Sequence, residues 1–195
     1  MKVLIACEES QTVCKAFRAK GHEAYSCDIL PCSGGHPEWH IQGDAIVEAY
    51  SGNYDIMIAH PPCTYLTNAG AVHLYPKGVL NEERLKKGID ATYLFRRLLD
   101  APIPKICVEN PVPSTIYNLP KYTQIIQPYE HGHPYSKKTC LWLKNLPLLQ
   151  PTLVTSDRQS TKIPGNWFNK GGKERQKNRS KFWKGIADAM AEQWG

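Results

Sequence analysis

At 195 residues, with 42 % apolar and 22 % charged side chains, the chain has the size and composition of one globular domain with a sizeable core, which sets aside fibrous and disordered classes. No apolar run approaches the roughly 20 residues of a membrane-crossing helix, and the opening Met1-Lys2-Val3-Leu4-Ile5-Ala6 is too short for a secretion signal. A cytoplasmic protein without membrane contact is expected. The seven cysteines are scattered with no Cys-x-x-Cys pair, so neither a disulfide framework nor a zinc site is expected, and seven basic residues against one acidic residue over 170–184 account for the whole net charge of +6.

In chain order, residues 2–7 read as a buried strand and 12–20 as a helix, with Val13, Ala16, Phe17 and Ala19 along one side and Gly21 as its stop. Residues 24–27 form a second strand ending at Asp28. Turn-forming residues make 30–40 a loop, Gly43-Asp44-Ala45 precedes a short helix over 46–50, and 54–59 is a third strand. The Gly-, Asn- and Thr-rich stretch 64–78 reads as an ordered but movable loop. Asn81 followed by Glu82-Glu83 marks a helix start, and the spacing of Leu85, Ile89, Tyr93 (or Leu94) and Leu98 predicts its apolar face as far as about position 100. Further strands are expected over 105–109, 123–127 and 139–144, with a short helix near 115–118. A closing helix over 180–194 carries Phe182, Ile186, Met190 and Trp194 on one face. Residues 145–178 lack periodicity and read as a short insertion within a single domain, 1–195. Strands alternating with helices argue an α/β fold, a mainly parallel sheet covered on both faces. Sites in such sheets gather beyond the carboxyl ends of the strands, where Asp28, Asp44, Cys63 and Glu109 all fall.

Two segments carry the chemistry: Ala59-His60-Pro61-Pro62-Cys63-Thr64 and Val108-Glu109-Asn110-Pro111 each stand where a buried strand runs out into a loop. A thiol on stiff Pro-Pro backbone is a candidate nucleophile, its reactivity set by its thiolate fraction. A carboxyl at the next strand tip can hold or share a proton with a ring nitrogen while the thiol adds to that ring. Asp28 stands where α/β cofactor folds place an acidic acceptor for ribose hydroxyls. On the residues alone, simpler roles stay open: Asp28 and Asp44 as caps, Cys63 as a packed cysteine, and Glu109 as the ion-pair partner of Lys137 or Lys138. His60, His131 and His133 complete no metal-ligand pattern, and no metal is expected.

The Pro-Cys and Glu-Asn segments resemble the fourth and sixth motifs of the cytosine-C5 DNA methyltransferases, and the likeness runs in order over nearly the entire chain. It implies a Rossmann-like, S-adenosylmethionine-dependent methyltransferase fold, with S-adenosylmethionine as cofactor and DNA as partner. In the implied reaction Cys63 adds to C6 of cytosine, Glu109 meets N3, the methyl group moves to C5, and Cys63 is then eliminated. The implied cofactor contacts are Asp28 to the ribose, Ile29 beside the adenine and Asp44 to the adenine amino group. Pro62 joins them, as does Ser180 in Asn178-Arg179-Ser180, which is similar to the tenth motif. The family's Phe-x-Gly-x-Gly turn is replaced by the glycine-free Ala6-Cys7-Glu8-Glu9-Ser10-Gln11, so Glu8, Glu9 or Ser10 is expected to meet the cofactor's ammonium group. Where the family has Gln-x-Arg-x-Arg, this chain has Tyr135-Ser136-Lys137-Lys138-Thr139. Lys137 and Lys138 are therefore expected on phosphate or cytosine O2, without arginine's two-pronged geometry. The basic run with Lys170, Lys173, Arg175, Lys177 and Arg179, flanked by Trp167, Phe168, Phe182 and Trp183, suits phosphate contact and base stacking. A solvated basic face is the alternative.

The family's separate recognition domain is replaced by the short insertion at 145–178, as in a compact, phage-type member. A monomer with no obligate protein partner is expected. Three other readings stay open: C5 chemistry on free cytosine nucleotides, a non-catalytic nucleic-acid-binding protein on the same scaffold, and an amino-methyltransferase. For the last, Pro61-Pro62 is similar to Asp-Pro-Pro-Tyr, with His60 and Cys63 in place of its Asp and aromatic residue.

Overall fold

The computed structural model describes residues 1–161 and 182–195. Its elements are β1 (Lys2–Ala6), α1 (Thr12–Ala19), β2 (Glu23–Asp28), β3 (His40–Gln42), α2 (Ala45–Ser51), β4 (Ile56–Ala59), α3 (Asn68–Ala71) and α4 (Glu82–Leu99). There follow β5 (Lys105–Pro111), β6 (Gln124–Ile126), β7 (Tyr135–Ser136), β8 (Thr139–Lys144), β9 (Gln159–Ser160) and α5 (Lys184–Trp194). Seven strands form one sheet in the order β3-β2-β1-β4-β5-β8-β6, while β7 and β9 pair separately. The first five strands run parallel, and β8 is antiparallel to both its neighbours.

Side chains alternate across the central strands and divide the core into two layers. Val3, Ile5, Ile56, Ile58 and Cys107 face α1 and α5, where Phe17, Ile186, Met190 and Trp194 pack on them. Leu4, Met57, Ile106 and Val108 face α2 and α4, meeting Ile46, Phe95 and Leu98. Strands buried on both faces read as continuous apolar runs, which is why Val3-Leu4-Ile5 and Ile56-Met57-Ile58 carry no polar residue. Full burial of a side chain such as Phe17 or Leu98 contributes about 1.5–3 kcal/mol. The α/β architecture, mainly parallel with helices on both faces, is the one its sequence pattern predicts.

Several local expectations are corrected. In α4 the buried stripe is Gly88, Phe95 and Leu98, with Leu85 partly covered, while Ile89 and Tyr93 are exposed at 56 % and 64 %. Gly88 lies against Tyr117: a Cβ added there would stand 2.1 Å from the Tyr117 hydroxyl. The expected loop over 30–40 contains a 3-10 turn, Pro37–Trp39, and leads into β3, an edge strand too short to show a period. The stretch 64–78 holds α3, whose cap Thr67 accepts from the Gly70 amide, and a second 3-10 turn, Pro76–Gly78. The short helix expected near 115–118 is the 3-10 turn Thr115–Tyr117. Among the described residues, no helix is long and apolar enough to cross a membrane.

Candidate active site

The tips of β4 and β5 are joined by side chains. Ala59 is in register with Val108, so His60 emerges beside Glu109, and the His60 amide donates to the Ala6 carbonyl at 2.9 Å, holding this tip against β1 as well. His60 Nδ1 lies 3.3 Å from Glu109 Oε2, with the two side chains only 12 % and 14 % exposed. One residue further along each segment, Asn110 Nδ2 donates to the Pro61 carbonyl at 2.8 Å, and both residues are buried. The Pro-Pro turn is thereby fixed to β5 from two directions. Cys63 sits on that turn, partly exposed, its carbonyl accepting from the Leu66 amide at 3.1 Å. Proline at 61 and 62 suits these positions because neither backbone nitrogen has a proton to satisfy. The Glu109 carboxyl has His60 as a partner.

Lys137 and Lys138 immediately precede β8, whose first residue, Thr139, is in register with Pro111 at the end of β5. They therefore stand at the same end of the sheet as Glu109, Lys138 exposed and Lys137 partly covered.

The turn from β1 to α1 works without glycine by placing Cys7 and Gln11 in the left-handed region, at φ 60° and 58°. Glu8 is only 4 % exposed and faces inward, one carboxyl oxygen accepting from the Val13 amide at 2.8 Å and the other from the Cys14 amide at 3.2 Å. This corrects the expectation that Glu8 meets a cofactor ammonium. Gln11 at the start of α1 makes no side-chain cap, so the helix's first amides are unsatisfied, and Glu8 supplies what they lack. Burial raises the Glu8 carboxyl above its ordinary value, opposed by the nearby His60 and by the two amides. Ser10 is partly exposed, its hydroxyl 3.3 Å from that of Thr12.

Gln11 is a residue that sequence reasoning missed. Fully buried, it donates from Nε2 to the His36 carbonyl at 2.7 Å and to Ser26 Oγ at 3.3 Å, and its Oε1 accepts from the His36 amide at 3.1 Å and the Cys32 thiol at 3.3 Å. It pins residues 32–36 onto the β1–α1 turn, where Gly34 passes so close that a Cβ would stand 2.5 Å from that of Gln11. A glutamine in a loop carries no local signal of such a role.

At the neighbouring tips, Asp28 ends β2 and accepts from the Leu30 amide at 2.9 Å, which leaves Ile29 74 % exposed between them. Asp44 lies beyond β3, is exposed, and caps α2 by accepting from the Ile46 amide at 2.8 Å. Asp28 and Asp44 both act electrostatically on the Cys7 thiol, which burial first and then these carboxylates push up to about 12, so the three groups converge at one end of β1, β2 and β3. Two carboxylate acceptors about an exposed isoleucine form an acceptor and packing set that fits a ribose, an amino group and the flat face of an adenine. Pro62, beyond the end of β4, is exposed at the same end of the sheet.

The remaining cysteines divide clearly. Cys14, Cys27, Cys107 and Cys140 are fully buried and burial raises each thiol, those of Cys14 and Cys27 to about 12, so they stay protonated and inert. Ser180 and the basic residues Lys170, Lys173, Arg175, Lys177 and Arg179 lie outside the described residues. Among the described residues, no group of three or more His, Cys, Asp or Glu could hold a metal ion. A groove of about 640 Å³ between α1, α5 and residues 131–133 is lined by none of Asp28, Asp44, Cys63 or Glu109.

No protein-family model and no curated protein matches the chain. Among solved structures, it is similar to an Escherichia coli protein encoded within a prophage and assigned as a DNA modification methyltransferase, at 13 % identity and TM-score 0.48 over 80 % of this chain and 52 % of that one. It is also similar to the Dnmt2 methyltransferase of S. pombe, at 13 % identity and TM-score 0.46 over 76 % and 51 % of the two chains. An rRNA methylase from Escherichia coli follows at 12 % identity and TM-score 0.40, over 73 % and 55 %. The chain spans about half the length of each of these structures.

Proposed function

We propose that the protein is a cytosine-C5 methyltransferase acting on DNA. The observation that carries this reading is the double tie between the tips of β4 and β5, His60 to Glu109 and Asn110 to Pro61, which holds the Cys63 turn beside a sheltered carboxyl. A thiol on a partly exposed residue and a carboxyl on adjacent strand tips suit attack on a pyrimidine.

In this reading the target base leaves the helix stack, because chemistry within a stacked duplex is sterically closed. Cys63 Sγ adds to C6 while Glu109 delivers a proton to N3, and C5 gains the electron density that makes it nucleophilic. After methylation, loss of the C5 proton to water and departure of the Cys63 thiolate restore the ring. Asp28 would hold the ribose hydroxyls, Asp44 the adenine amino group, and Ile29 the adenine face of S-adenosylmethionine, which supplies an electrophilic methyl group. Lys137 and Lys138 would meet phosphate or cytosine O2, and the basic residues of 170–184 the backbone of the strand.

The test is direct. The protein is incubated with labelled S-adenosylmethionine and DNA of mixed sequence, and the DNA is digested to nucleosides. Label in 5-methylcytosine is the expected result; label on an amino nitrogen, or none, overturns the proposal.

A further inference from the structure

His60 enters neither the addition to C6 nor the protonation of N3 as described above, yet its setting is unusual. Its ring is nearly buried between two carboxyl-bearing segments. Glu109 on β5 approaches Nδ1 at 3.3 Å, and Glu8 on the β1–α1 turn is an electrostatic neighbour of His60. Phe182, just before α5, covers the ring at a centroid distance of 4.5 Å and an angle of 52°. Nε2 is buried and finds no hydrogen-bond partner among the described residues. An imidazole with one nitrogen on a carboxyl and the other unsatisfied is costly to bury unless the first contact is put to use.

Resting on the C5-methyltransferase reading, we propose that His60 is a positioning residue for Glu109. Its Nδ1–H donates to Glu109 Oε2, which turns Oε1 toward the base and leaves that oxygen to carry the proton destined for N3. The exchange between Glu109 and N3 balances, while Cys63 attacks as its thiolate and the C5 proton leaves to water. As the Cys63 sulfur bonds to C6, the Glu109 proton passes to N3 and the carboxyl becomes a carboxylate. When the C6–S bond breaks, N3 returns the proton to Glu109. His60 keeps its own Nδ1 proton throughout, but its hydrogen bond now reaches a charged acceptor, and hydrogen bonds to ionised groups are roughly twice as strong as neutral ones. The gain appears only once charge has moved, so His60 acts on turnover more than on substrate binding. The strand register supports the same division of labour. Ala59 opposite Val108 sets His60 beside Glu109, and the bond from the His60 amide to Ala6 keeps it there.

The test has two arms. In the first, the full-length protein labelled with ¹⁵N-histidine is observed by long-range ¹H–¹⁵N correlation, His60 being assigned by its loss in His60→Asn. A protonated Nδ1 and a bare Nε2 are expected, with the pattern altered in Glu109→Ala. The opposite tautomer, or signals indifferent to Glu109→Ala, overturns the proposal without any appeal to activity. In the second arm, methyl transfer to DNA is followed in His60→Ala and His60→Asn, with thermal unfolding to confirm that each is folded. His60→Ala is expected to lower kcat by about 10- to 100-fold with KM for DNA and cofactor unchanged. Asparagine, whose Nδ2 reaches near the place of Nδ1, restores part of the loss. A merely structural role would destabilise both variants and would not separate kcat from KM. If the wild-type protein transfers no methyl group, the functional reading falls and the use made of the pair falls with it. If it transfers methyl and His60→Ala matches it, the positioning role alone is overturned.

Discussion

Asn110 and Pro61 are 49 residues apart in the chain and are joined by one buried hydrogen bond of 2.8 Å. That bond decides where the Cys63 turn sits relative to Glu109, because Pro61 and Pro62 allow the turn little freedom of their own. Asn110→Ala leaves the Pro61 carbonyl buried and unpaired, at a cost of about 1–3 kcal/mol. The expected result in urea unfolding is a loss of that size, together with a drop in methyl transfer larger than the destabilised fraction explains.

Cys63→Ser removes the proposed nucleophile at a partly exposed position that packs little of the core. Methyl transfer to DNA is expected to fall below detection while the unfolding midpoint stays within about 0.5 kcal/mol of wild type, as for substitutions away from buried features. Retained turnover in the variant would exclude a covalent adduct at this residue.

Glu8 makes stability depend on pH in an unusual direction. Burial raises its carboxyl in the folded protein, so the folded chain holds this proton more tightly than the unfolded chain. Its contribution is therefore complete below the unfolded value near about pH 4, falls as pH rises through the folded value, and is level above it. Glu8→Gln is expected to remove that decline, giving a flatter stability curve from about pH 4 upward. The variant also places an NH₂ group against the Val13 or Cys14 amide, which costs about 1–3 kcal/mol at every pH. Urea unfolding across pH reads both effects, and an unchanged slope would assign the dependence to another group.

Gly88→Ala sets helix propensity against packing. Alanine is better than glycine inside a helix by about 1 kcal/mol, but its Cβ would stand 2.1 Å from the buried Tyr117 hydroxyl. Overpacking of this kind costs about 1–3 kcal/mol, so net destabilisation is expected, with recovery in the double variant Gly88→Ala/Tyr117→Leu. A more stable single variant would show that Tyr117 moves aside freely.

If the basic run grips phosphate, its removal alters the salt dependence of DNA binding. Replacing Lys170, Lys173 and Arg175 by alanine is expected to make the slope of log K against log salt shallower by about 3, near 0.9 for each phosphate no longer neutralised. A slope equal to wild type would assign these charges to a solvated face.

The strands and helices were legible because burial writes a local record. Val3-Leu4-Ile5 and Ile56-Met57-Ile58 announce a sheet covered on both sides, and Asn81 with Glu82-Glu83 announces a capped helix start, which the structure has with Asn81 as the cap and Glu82 as the first helical residue. The record failed where two periods competed. In α4 the spacing of Leu85, Ile89 and Tyr93 is helical, yet the buried stripe runs through Gly88, which lies against Tyr117.

The chain alone determined its layered α/β architecture, the strand tips at which Asp28, Cys63 and Glu109 emerge, and a basic run near its end, since each depends on neighbours within a few positions. The tertiary structure decided that Glu8 turns inward to serve α1, that Gln11 pins residues 32–36, and that His60 meets Glu109. Those pairings depend on the register between strands distant in the chain and on amides that only the folded helix leaves unsatisfied, and no local pattern of residues encodes either.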